Sequence, residues 1–163
     1  MDKRISDLLG VIRKEIGLYL DLVEHAKKKT ALLAYGRIEA ILESNRAEEA
    51  LNADIRFLEI ERKRLCSALC LSFGIRREDF TFLKLADHLE RPIALELQSE
   101  TILFGKILKQ LNAVTQHNLR LTEKSLRYSK GLLGIIASAT NPYQKTGLFS
   151  PVPFMHPTFS HRV

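Results

Sequence analysis

Two cysteines and five histidines are the side chains of this sequence best suited to bind a metal or act as nucleophiles. Cys66 and Cys70 lie four positions apart, so on one helix their Cα atoms would be about one turn apart. No further cysteine and no histidine completes a ligand set beside them. The histidines are dispersed without helical metal spacing: His25, His88, His117, His156 and His161. We therefore interpret the cysteines as small buried or half-buried thiols, and we expect no metal or other cofactor.

The sequence also lacks the motifs of the common catalytic sites. It contains no glycine-rich phosphate loop, no Gly-x-Ser-x-Gly turn and no cysteine–histidine nucleophile pair. Neighbouring carboxylates such as Glu48 and Glu49 would point to different sides of a helix, as surface charges do. The sequence therefore predicts that the protein is not an enzyme.

The composition of the 163 residues favours one helical domain or a single long-helix assembly. The glycine, proline and cysteine contents exclude collagen-like and disulfide-rich classes, and the aromatic content of 7% disfavours an all-β domain. The charged residues 1–7 are not followed by the apolar core of a secretory signal. The longest uncharged, mostly apolar run, residues 131–140, is too short to span a membrane. We expect a cytoplasmic protein without membrane insertion.

Apolar residues recur every three or four positions in three long segments, as in amphipathic helices of a bundle. The first segment covers residues 5–33, and Gly36 is placed to end its helix. The second covers residues 38–69, contains Arg62 in its apolar seam, and is ended by Gly74. These two helices are expected to pack antiparallel.

A third long segment follows a short connection. Asp79 or Thr81 can cap a helix of about two turns, and Pro92 suits the first turn of the next long helix. That helix should end near Thr140, because Pro142 disfavours helical backbone at the residue before it. The segments predict an all-α fold, an antiparallel bundle of three long helices with a short connecting helix, with about 75% helix and no sheet.

The last part of the chain differs in composition from the rest. The seam of the third helix is apolar as far as Val114 and then includes small and polar residues: Asn118, Ser125, Ser129, Gly131, Gly134 and Ser138. Beyond Glu123 the chain has five basic and no acidic residues. Residues 141–163 lack periodicity and contain four of the five prolines, together with Tyr143, Phe149, Phe154 and Phe159. We therefore expect a helical bundle at 1–140 and a flexible, basic, Pro/aromatic C-terminal interaction tail at 141–163.

Three stretches of the sequence resemble the FlgN family of flagellar export chaperones. Residues 31–41 are similar to the family's turn between its first two helices, with small and apolar residues, Gly36, and then an Ile-Glu-Ala start. Residues 111–121 are similar to its asparagine-containing stretch on the long third helix. Tyr143 and Gly147 occupy positions where family members often keep a Tyr and a Gly after that helix. The resemblance covers residues 5–147.

The resemblance implies a cytoplasmic chaperone that binds the hook–filament junction proteins FlgK and FlgL, and we expect it to be a monomer or weak dimer. It would keep their amphipathic terminal helices from assembling too early and deliver them to the cytoplasmic domain of the flagellar type III export gate. The family's gate-contacting tyrosine corresponds to Tyr143, with Gly147 freeing the backbone beside it. The alternative for Tyr143 is packing against the end of the bundle.

The late third helix is the expected client site. Because its seam loses large apolar residues after Val114, it has less to gain from packing within the bundle. The alternative is an ordinary bundle end. The expected client-binding residues are Asn118, Leu121, Ser125, Tyr128, Leu132 and Ile135.

Two other classes of protein share part of this pattern. A structural coiled-coil or assembly protein would have the same periodicity and would associate with itself in the absence of a client. A nucleic-acid-binding helical protein would have basic residues along one face. Here the basic residues interleave with acidic ones as far as Glu123, which argues against nucleic acid as a partner.

Overall fold

The computed structural model describes the backbone of residues 3–140 and the side chains of residues 3–137. Over that range 91% of the residues are helical and none lies in a strand, which confirms the all-α prediction. The helices are α1 (Lys3–Ala34), α2 (Ile38–Phe73), α3 (Phe82–Ala86) and α4 (Arg91–Thr140). A 3₁₀ turn, Arg77–Asp79, lies between α2 and α3.

Glycine and threonine set the ends of the helices where the sequence predicted. Gly36 and Gly74 have φ angles of 63° and 67°, in the left-handed region that favours glycine. After Gly74, the N–H of Ile75 donates to the Cys70 carbonyl at 2.9 Å, which satisfies a terminal carbonyl of α2. At the start of α3, the Thr81 hydroxyl accepts from the N–H of Lys84 at 3.1 Å, so Thr81 rather than Asp79 is the cap.

The contacts between residues divide the chain into two units, one covering Met1–Leu121 and the other beginning at Thr122. The boundary lies within α4, and each unit is described by itself. We use the name late α4 for residues 122–137, the part of this helix in the second unit whose side chains are described. The predicted division between residues 140 and 141 falls at the limit of the described residues and stays a prediction.

In the first unit, α1 and α2 form an antiparallel pair, as predicted. Near one end Arg4 donates to the Ser72 hydroxyl, and near the other Lys29 contacts Glu48 at 2.7 Å. Residue numbers thus rise along α1 as they fall along α2. The short turn at Gly36 allows no other arrangement for two long neighbouring helices.

The first part of α4 runs parallel to α1 within the same unit. The rings of Tyr19 and Phe104 lie 5.2 Å apart, and further along both helices the Asn118 amide reaches the Ala26 carbonyl at 2.8 Å. Residue numbers therefore rise together along the two helices.

The core of the first unit is built from side chains of all four helices. Leu8 of α1, Leu69 of α2, Leu85 of α3 and Leu97 of α4 have no exposed surface. Although α3 has only five residues, its two buried residues join the cluster, and Phe82 and Leu89 pack around it. This short helix explains how α2 connects to α4 without leaving apolar core exposed at that end.

Candidate protein-interaction surface

A buried ion pair links α1 to α2 in the first unit. The Glu15 side chain is fully buried, and the Arg62 Nε donates to both of its carboxylate oxygens, at 2.8 and 3.1 Å. Burial raises the pKa of Glu15, while the hydrogen bond and charge of Arg62 act in the opposite direction. Arg62 therefore lies in the seam as the sequence predicted, and its role there is to neutralise a buried carboxylate.

The two cysteines are buried free thiols, as predicted. Burial raises the pKa of Cys66 to about 11, so its reactive thiolate form is scarce near neutral pH.

Among residues 3–137, no group of three or more His, Cys, Asp or Glu side chains could hold a metal ion. A groove between α1 and α2, of about 440 Å³, is lined on its two sides by Leu18 and Phe57, and no Ser, Cys or His side chain borders it.

Two of the predicted client-binding residues, Asn118 and Leu121, belong to the first unit. Asn118 is buried; its Nδ2 donates to the Ala26 carbonyl at 2.8 Å, and its Oδ1 accepts from the Thr30 hydroxyl at 2.7 Å. Its amide therefore fastens α4 to α1, and a partner could reach it only by breaking these bonds. Leu121 is half-buried.

The other four predicted residues lie together on late α4. Ser125, Tyr128, Leu132 and Ile135 are exposed, and their three- and four-residue spacing places them on one side of the helix. Of the three large side chains in this group, Tyr128 is the most exposed, at 69%. The structure therefore brings these four residues into one solvent-exposed stripe, which we call the first stripe.

The sequence reasoning missed a second exposed stripe on late α4. Leu126 and Leu133 are 54% and 65% exposed and lie seven positions apart, so they share a side of the helix. The repeat of leucine at residues 119, 126 and 133 was the sequence signal for it. We call Leu126 and Leu133 the second stripe.

Glycine does not belong to the apolar face of late α4, contrary to expectation. At about 100° per residue, Gly134 lies roughly 180° around the helix from Ser125, because nine residues separate them. Gly131 lies nearer to the apolar side, about 40° from Ile135 at the margin of the first stripe. Arg127 and Lys130 lie on the side of Gly134, and Lys124 borders the first stripe, with Glu123 as the one carboxylate on late α4. Late α4 is therefore an amphipathic helix with an exposed apolar side and a cationic side.

The residues predicted to contact the export gate, Tyr143 and Gly147, lie outside the described residues, so their role stays a prediction.

None of the helices in the described range is long and apolar enough to cross a membrane.

Comparison with known proteins gives a family for the chain. The FlgN protein family matches residues 1–150. Neither the curated proteins nor the solved structures gave a match. The matched region contains the whole of the described range and late α4, and it agrees with the resemblance seen in the sequence. The chain therefore belongs to the FlgN family, whose members act as flagellar export chaperones.

Proposed function

We propose that this chaperone acts in the cytoplasm on the hook–filament junction proteins FlgK and FlgL, and that it delivers them to the export gate. The observation that carries the proposal is the exposed amphipathic surface of late α4 in a chain of the FlgN family. Exposed apolar side chains at helical spacing are the usual way in which one helix receives another.

The first stripe supplies the anchors for such a helix. Tyr128, Leu132 and Ile135 present an aromatic ring and two branched aliphatic side chains at steps of four and three residues. Removing these surfaces from water would drive association, at about 25 cal/mol per Å² before the costs of ordering. A junction protein whose terminal helices are covered in this way cannot use the same apolar faces for assembly.

Release at the gate is the second half of the proposal and rests on the sequence beyond Thr140. Tyr143 is a large amphipathic side chain of the kind that often dominates small interfaces. Gly147 lies four positions later, where it would impose little restriction on the backbone. We assign the gate contact to this pair.

The direct test is binding of the full chain to purified FlgK and FlgL by calorimetry. Leu132→Asp should place a charge inside the first stripe and weaken binding by at least about ten-fold, the loss typical of an interface anchor. Gly134→Asp is the matched control, because it adds the same charge roughly 160° around the helix from Leu132, where a Cβ meets no atom within 4 Å. Equal affinities for the two variants would contradict the site, and no binding by the unaltered chain would contradict the function.

An assembly protein is a second candidate, favoured by a different surface. Phe57, Ile60 and Leu71 share one side of α2, and each is more than two-thirds exposed. Two copies of the chain could bury this side together. Sedimentation of the isolated chain separates the candidates, since an assembly protein forms oligomers without a client and a chaperone of the proposed kind stays a monomer or weak dimer.

A further inference from the structure

The part of α4 that packs within the first unit uses a narrow strip of the helix. Between residues 104 and 118 the large side chains that are buried or half-buried are Phe104, Ile107, Leu111, Val114 and Asn118. At about 100° per residue, these five lie within an arc of roughly 80°. This is the width that a helix needs to pack on one side against its neighbours.

Late α4 exposes an apolar surface about twice as wide as that packed strip. Ile135 lies at one edge of it and Leu126 at the other, roughly 180° apart around the helix by the same spacing. Tyr128 and Leu132 lie toward the first edge, Leu133 lies near the second, and Ile136 lies between them, and all of them are exposed. One docked helix covers little more than an a/d seam, so wherever it lies it would leave at least one edge of this surface in water.

We propose that the partner of late α4 presents a pair of amphipathic helices, one against each stripe, with acidic residues along their edges. This inference rests on the proposed function, because it describes the client that the same surface would take. With both stripes covered, late α4 becomes the inner helix of a three-helix arrangement, with its cationic side outward.

The charge of late α4 selects an acidic partner. Lys124 and Lys130 border the apolar surface at its two edges, and Arg127 lies between them on the opposite side of the helix, against the single carboxylate of Glu123. Residues 141–163, the part of the chain that follows the helix, contain Lys145 and Arg162 and no acidic residue. Like charges therefore disfavour these residues as the covering of either stripe, and opposite charges favour a partner with Asp and Glu.

The experiment places one carboxylate in each stripe and one outside both. Leu132→Asp, Leu126→Asp and the control Gly134→Asp are prepared in the full chain, and helix content is compared by circular dichroism. Each is titrated with purified full-length FlgK and FlgL. Both stripe variants should lose about ten-fold or more in affinity, while the control stays within about three-fold of the unaltered chain. Binding of the unaltered chain should weaken as salt is raised from about 0.05 to about 0.5 M.

Each alternative gives a different result. If Leu132→Asp alone weakens binding, one helix covers late α4 and the inference of a pair is wrong, while the proposed function stands. If Leu126→Asp instead dissociates a dimer of the chain, or changes hydrogen exchange only in residues 141–163, then a second copy or the chain's own end covers the second stripe, which also overturns the inference. An affinity that does not fall as the salt concentration is raised overturns the proposal that the partner helices have acidic edges. Absence of binding by the unaltered chain refutes the proposed function itself.

Discussion

Glu15 and Arg62 illustrate, at the scale of single residues, how a thin helical pair accommodates charge. Position 62 falls in the apolar seam of α2, so the sequence could place Arg62 there. Its partner was not predictable from the pattern, because Glu15 lies between the apolar residues Ile12 and Ile16 and could equally have flanked the seam. The long Arg side chain decides the outcome: its Nε reaches a carboxylate that is fully buried.

Removing Arg62 should destabilise the protein more than losing a surface ion pair would. In Arg62→Met, the Glu15 carboxylate stays buried without its cation, and the free energy of unfolding should fall by about 3 kcal/mol. Urea unfolding followed by circular dichroism measures the change. The double variant Glu15→Leu, Arg62→Met should recover most of the loss, because it removes the uncompensated charge. A cost below about 1 kcal/mol, the range of exposed pairs, would show that the pair contributes little.

The destabilisation caused by Arg62→Met should depend on pH with a defined sign. Burial raises the pKa of Glu15 in the folded state above its value in the unfolded state. The contribution of protonated Glu15 to stability is therefore greatest below the unfolded-state pKa, and it is lost as the pH rises through the folded-state pKa. Without Arg62 the pKa of Glu15 should rise further, because the hydrogen bond and charge that lower it are gone. The difference in unfolding free energy between the unaltered protein and Arg62→Met should therefore be larger at pH about 7 than at pH about 4. A gap that is constant or widens in acid would contradict this account.

At the scale of elements, helix type and helix ends followed from the sequence, whereas the depth of burial did not. Gly36 and Gly74 have the left-handed backbone that ends α1 and α2, which their positions after apolar repeats predicted. Leu58 and Leu111 have the same helical spacing as core residues, yet both are only half-buried. Periodicity identifies the side of a helix that faces its neighbours, but the thickness of the bundle decides how much of each side chain is covered.

Leucines of α2 at different depths should differ in what they contribute to stability. Leu69 has no exposed surface, so Leu69→Ala should lower the free energy of unfolding by about 3–5 kcal/mol. Leu58 borders the open groove between α1 and α2, so Leu58→Ala should cost about 2 kcal/mol or less, because water can fill the space. Thermal or urea unfolding of the two variants compares them directly. Equal costs would mean that the groove closes around Leu58 in solution.

At the scale of the whole molecule, the sequence pattern identified a helical protein with a distinct last part, and the family match established its class. The first stripe was foreseeable from three- and four-residue spacing. The second was missed although the seven-residue leucine repeat signals it, because Leu126 and Leu133 look like isolated surface leucines until the side chains around them are known to be exposed. Asn118, predicted at the same site, instead makes two hydrogen bonds inside the first unit. A polar residue in a seam looks the same in the sequence whether it binds a partner or makes hydrogen bonds between helices of the same chain.

The central claim is that late α4 is the surface that receives the client. Hydrogen–deuterium exchange of the full chain, measured with and without purified FlgK or FlgL, tests it most directly. The account predicts that the client slows exchange chiefly within residues 122–137, because covering both stripes suppresses local opening of an otherwise exposed helix. Protection centred on the groove between α1 and α2, with exchange in residues 122–137 unchanged by the client, would contradict it.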